Sequence, residues 1–137
     1  MGALTNFLED KIIGHLFRAA AYTAPTTLYI ALFTAAPGEA GGGTEVTGGS
    51  YARVAVANSA TEWDATAAGD GTTANTNTAT FPAPTASWGQ VTHWAIMDAA
   101  SAGNMLAYAA LGTPKTINNG DAAPSFAAGA LTFQIDS

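Results

Sequence analysis

The sequence contains no cysteine, so no disulfide framework and no thiolate metal site can form. Charge is scarce: only 10% of residues are charged, well below the roughly one quarter usual in soluble domains. Four Lys and Arg face ten Asp and Glu, for a formal net charge of −6. A surface built to bind nucleic acid needs clustered cations, and this chain has none. Adhesion to an anionic membrane is disfavoured for the same reason. No apolar run approaches the roughly 18 residues of a membrane-spanning helix. The opening Met1-Gly2-Ala3-Leu4-Thr5-Asn6-Phe7-Leu8-Glu9-Asp10-Lys11 lacks a basic stretch followed by an apolar one and does not read as a signal peptide. With two histidines, a zinc site would need carboxylate ligands as well.

What is present is apolar and small. Hydrophobic residues make up 48% of 137, enough for a core in one domain spanning 1–137. Near the start, Leu4, Phe7, Leu8, Ile12 and Leu16 recur at helical spacing, and Ile13 and Phe17 widen the stripe. This predicts a helix over about 5–20. Asn6 is its expected N-cap, with Glu9 completing a capping box. Glu9 and Asp10 suit the positive end of the helix dipole, and His15 and Arg18 the negative end. The helix has two possible uses: packing on its own β domain or docking on a partner.

After Pro25 the period changes to that of strands, over about 26–136. Thr27–Thr34 is apolar on both faces and reads as a central, doubly covered strand. Ala36–Ser50, with Pro37 and six glycines, reads as a long loop without structure. Further strands are expected at Tyr51–Asn58, around Trp63, at Thr78–Phe81, Gln90–Met97, Asn104–Leu111 and Leu131–Ile135. Loops or turns are expected at Ala67–Asn77, Ala99–Gly103 and Asn118–Asp121. One helix followed by seven or eight short strands predicts a mainly β fold, an antiparallel β-sandwich or jelly roll with an N-terminal α-helix. No internal repeat is visible.

Chemistry is thinly represented. His15 and His93 are the only possible bases of a hydrolytic triad, and neither has a convincing carboxylate partner. Asp98 lies five residues beyond His93, on the opposite face of an extended strand. Asp70-Gly71 and Asn118-Asn119-Gly120-Asp121 carry oxygen ligands but not the ligand spacing of a calcium loop. Gly41-Gly42-Gly43-Thr44 lacks the Lys of a phosphate loop, and Glu39 and Glu45 flank it. Glu62 and Asp64 bracket Trp63 on one strand face, a spacing that glycosidases share but that carries little information. Trp63, Trp88 and Trp94 would form either a core or a sugar platform. No catalytic residue, cofactor site or metal site is expected. The reading is an acidic structural or interaction module.

Several linear patterns carry a resemblance. They are Leu4-Thr5-Asn6-Phe7-Leu8-Glu9-Asp10-Lys11 with Leu16-Phe17-Arg18, Tyr22-Thr23-Ala24-Pro25, and Leu28-Tyr29-Ile30-Ala31-Leu32-Phe33-Thr34. Gly43-Thr44-Glu45-Val46 and Gly48-Gly49-Ser50-Tyr51-Ala52-Arg53 belong with them. Downstream follow Thr80-Phe81-Pro82, Ala86-Ser87-Trp88-Gly89, Val91-Thr92-His93-Trp94, Pro114-Lys115-Thr116-Ile117 and Phe126-Ala127-Ala128-Gly129-Ala130-Leu131. Over essentially its whole length the chain resembles a family of small tailed-bacteriophage virion proteins, commonly labelled tail fibre proteins. The resemblance implies a virion component made in the host bacterial cytoplasm, with no enzymatic activity. Its expected partners are the major capsid protein or other virion proteins, and further copies of itself, a trimer being one arrangement. Because the chain has no repeat, a head decoration (cement) protein on the outer capsid surface is the favoured expectation. A tail fibre or baseplate component and a carbohydrate-binding receptor module are the alternatives. The expected partner contacts are the N-terminal segment, at Leu4, Phe7 and Leu8, and loop 38–50, at Gly41, Gly42, Gly43 and Glu45.

Overall fold

The computed structural model describes residues 2–64 and 71–135. Its elements are β1 (Ala3–Leu4), α1 (Asn6–Phe17), β2 (Thr27–Ala35), β3 (Thr44–Glu45), β4 (Val54–Ala57), β5 (Thr72–Ala74), β6 (Ala79–Thr80), β7 (Gly89–Met97), β8 (Met105–Ile117), β9 (Ser125–Phe126) and β10 (Thr132–Gln134). The fold is mainly β, its sheets are antiparallel, and its helix lies near the N-terminus.

The main sheet runs β1-β8-β7-β2, and the outer edge of β2 is shared. β4 pairs with its first half, Thr27–Ile30, and β3 with its second, Phe33 and Ala35. Two short ribbons, β5/β10 and β6/β9, complete the strands. Alternation along β2 explains why both of its faces are apolar. Ile30 and Leu32 join Val56, Phe81, Trp88, Val91, Trp94, Ile96, Leu106 and Leu131 in the larger cluster. Ala31 and Phe33 join Ala95, Met97 and Met105 in the smaller one, flanked by Tyr29 and Tyr108. Phe126 and Phe133 from the ribbons pack against the larger cluster.

β8 extends beyond the expected end at Leu111. Its register with β7 shifts between the His93–Ala110 and Val91–Lys115 pairs. The intervening stretch holds Gly112 and Pro114. Proline cannot donate to a ladder, so the chain bulges there and pairs again through Ile117.

The helix differs from expectation at both ends. Thr5, not Asn6, is the N-cap, and its side chain makes no capping hydrogen bond. The Thr5 hydroxyl is buried and instead donates to the carbonyls of Met105 (2.5 Å) and Leu106 (3.2 Å), tethering the helix start to β8. The Asn6 amide donates to the Glu39 carbonyl. A capping box is therefore absent, because tertiary hydrogen bonds have claimed both residues. The helix stops at Phe17, after which Ala19 adopts a left-handed φ of 54° and the Ala20 amide closes on the Gly14 carbonyl.

Segment 36–50 is not a structureless loop. β3 adds to the sheet, Gly38 and Gly41 bridge each other, and Val46 enters the core. Gly43 has φ +78° and approaches so closely that a Cβ there would lie 2.7 Å from the Ala35 carbonyl oxygen. The expected strand at Tyr51–Asn58 shortens to β4, and Trp63 makes only an isolated bridge to Asn75. β5 lies inside the expected loop 67–77, whose residues 67–70 fall outside the described set.

Candidate interaction surface

An open cavity of about 540 Å³ lies where the helix start, loop 39–43 and the turn 98–104 converge. Its apolar lining is Phe7, Phe33, Met97 and Met105, and Gly41, Gly42 and Gly43 form one wall. Glu39, Glu45 and Arg53 supply the charge.

Arg53 organises this region. Its Nε and Nη2 donate to the two carboxylate oxygens of Glu45, both at 2.8 Å. Its Nη1 donates to the Ala99 (2.6 Å) and Ala102 (2.9 Å) carbonyls. The fork therefore joins β3 to the turn after β7 in the two-pronged geometry that suits a carboxylate. The hydrogen bond to Glu45 chiefly raises the Arg53 pKa, against a burial that lowers it. Tyr51 completes the network: its hydroxyl donates to Glu45 Oε1 and accepts the Leu32 amide. Burial, above all, pushes the Tyr51 pKa well above the ordinary phenol value. Each of the three Arg53 nitrogens finds an acceptor within the chain, so this pair is a clamp that shapes the cavity.

Of the residues expected to contact partners, Phe7, Gly41, Gly42, Gly43 and Glu45 are brought together around this cavity. Leu4 lies apart, on β1 opposite Ala107. Leu8 points to another side, lining an apolar hollow of about 250 Å³ with Leu28, Trp63, Leu106 and Phe133. A further feature was hidden in the width of the helical stripe. The first turn of α1 packs on the core through Phe7 and Leu8. The last two turns stand free, leaving Ile13, Leu16 and Phe17 51%, 66% and 81% exposed. A stripe that includes both Ile12-Ile13 and Leu16-Phe17 is wider than one packing face needs, and that excess was the available signal. Arg53 was missed too, although it is one of only four cations in the chain.

The other candidate residues are occupied locally. His15 Nδ1 accepts the Tyr22 amide, and His93 Nδ1 lies 2.8 Å from the Thr92 hydroxyl. Asp98 accepts the amide and side chain of Asn104 across the turn. Glu62 accepts from Asn77, and Asp64 from Thr73 and the Ala74 amide. Asp121 closes its own turn on the Asn118 amide. Trp88 and Trp94 are buried, Trp88 donating to the Gly49 carbonyl, and half-buried Trp63 packs against the same core. Tyr51 and Trp88 meet edge to face at 5.3 Å. Among the described residues, no three His, Asp or Glu side chains gather as a metal site.

Against protein families, residues 3–134 match the family described as Podophage GP4 fiber I protein gp80. The chain belongs to this podophage fibre family. It is thus a structural fibre protein of a bacteriophage, at home in the virion and in contact with other virion proteins. No curated protein matches this fibre chain.

Proposed function

We propose that this fibre-family protein is a head decoration protein that binds the outer capsid surface and stabilises the shell. The observation that carries this reading is the shape of the chain: a sheet, two short ribbons and a projecting helix, with no repeat along the sequence. Elongated fibres are ordinarily built from repeats, whereas a cement needs a small body with adhesive patches. The N-terminal segment and loop 38–50 are the patches, with Phe7, Gly41, Gly42, Gly43 and Glu45 around one cavity. They face the major capsid protein or a neighbouring copy. A non-catalytic, structural role is part of this reading, supported by the fibre family and by His15, Asp64, Asp98 and Asp121 being engaged in local hydrogen bonds. Neither nucleic acid nor membrane is a partner, in keeping with a net charge of −6. A tail fibre or baseplate position is the second reading, favoured by the fibre description of the family itself. The sugar-binding reading loses its platform, because Trp88 and Trp94 are buried.

Copy number per virion tests the proposal, by quantitative mass spectrometry of purified particles against the major capsid protein. A ratio near one, or one per three or six capsid subunits, supports a head cement. A few copies per particle would move the protein to the tail, and absence from particles would remove both positions.

A further inference from the structure

The exposed end of α1 and the cavity at its start are complementary in polarity and charge. The projecting octet Lys11–Arg18 contains two of the chain's four Lys and Arg and no acid. Its apolar side chains Ile13, Leu16 and Phe17 are more than half exposed. The cavity inverts this pattern. Its apolar lining is Phe7, Phe33, Met97 and Met105, and its charged residues are Glu39 and Glu45 against Arg53. Asp98 adds a third carboxylate close enough to act on Arg53 electrostatically. With Glu45 paired to Arg53, Glu39 leaves the lining net negative, so an apolar tip edged with positive charge meets an apolar hollow of net negative charge.

One molecule cannot make this contact with itself. Phe7 belongs to the cavity and Phe17 to the tip, and ten residues of rigid helix hold them about 15 Å apart. We propose that the occupant is a second copy of this chain: the end of α1 in one copy, led by Leu16 and Phe17, seats in the Phe7–Glu39–Met105 cavity of the next. The two patches are different surfaces, so the contact is heterologous and runs head to tail from one copy to the next. This deepens the reading of the N-terminal segment and loop 38–50 as contact surfaces. It concerns self-association alone, so it stands or fails independently of head or tail position.

The test is the mass of the purified full-length protein in solution, by light scattering and sedimentation, for the native chain and four variants. The native protein is expected to run as a multiple of 13.7 kDa. Leu16→Ser with Phe17→Ser should raise the dissociation constant roughly a hundredfold or more, because two apolar side chains lose their burial. Both positions are exposed, so circular dichroism should be unchanged. Ala40→Trp, which fills the cavity from an exposed wall position, should also give monomer. Arg18→Glu and Glu39→Lys should each weaken association about three- to tenfold, and their mixture should recover it, as opposed exposed charges do. A monomeric native protein at tens of micromolar would overturn the proposal. So would a Leu16/Phe17 variant that still associates, or an Ala40→Trp variant that associates normally.

Discussion

Replacing Arg53 by methionine should destabilise the protein far more than the loss of one cation from a surface would. The Arg53 side chain is only 6% exposed and makes four hydrogen bonds, two of them to Glu45. Methionine keeps the aliphatic volume and removes the fork. Glu45 then keeps Tyr51 as its donor but loses its countercharge. Removing one partner of a buried pair costs about 3–5 kcal/mol. Glu45 is 25% exposed, and water recovers part of that, which leaves about 2–3 kcal/mol. For a chain of this length the melting temperature should fall by about 6–15 °C. Urea unfolding followed by tryptophan fluorescence measures the loss, with the slope m unchanged. Arg53→Met combined with Glu45→Leu should recover most of it, because the orphaned carboxylate is gone. A loss below about 0.5 kcal/mol would place Arg53–Glu45 among ordinary surface pairs and refute the clamp. A double variant no better than the single one would refute the charge argument.

Alkaline pH should weaken the fold through Tyr51. Its pKa is raised in the folded state, so above the ordinary value of 10.0 the unfolded chain holds fewer protons than the folded one. Stability present below that pH is then lost as pH rises, and Tyr51→Phe should flatten the decline in a pH series of urea midpoints. Thr5→Val keeps the buried shape but removes the donor to Met105 and Leu106. It should cost about 1–2 kcal/mol and raise hydrogen exchange in the first turn of α1 before that of β7. Asn75→Asp should cost about 3 kcal/mol at neutral pH in thermal melts. Buried Asn75 donates to the Asn77 and Ala127 carbonyls and accepts the Leu131 amide, and a carboxylate would set its charge against those two carbonyls.

The parts of the fold that were legible are those with enough residues to show a period. The apolar stripe from Leu4 to Phe17 announced a helix, and the doubly apolar run at Thr27–Thr34 announced the central strand. β1, β5, β9 and β3 span two or three residues, too few for any alternation to register. The helix start was misplaced by one residue because the partner of Thr5 lies a hundred positions away on β8. Glycine density made segment 36–50 look unstructured, yet Gly43 is there because the backbone packs against Ala35 and Pro37. For the site, the sequence offered apolar and glycine residues at its rim. It gave no sign that Arg53 would reach from the foot of β4 to the turn after β7.

The bulge in β8 has a consequence for how this protein can and cannot assemble. Past the two residues it pairs with β1, the far edge of β8 has no neighbour among the described residues, and an open edge is a template for adding strands from other molecules. Here that edge carries Gly112, Pro114 and Lys115, all in exposed positions. A proline offers no N–H to an incoming strand, the distorted ladder spoils its register, and a charged lysine resists close approach. The edge is thereby guarded against the addition of strands from other copies. Growth by backbone pairing is closed off along this stretch of β8, and association there is left to side-chain surfaces that can be finite in number.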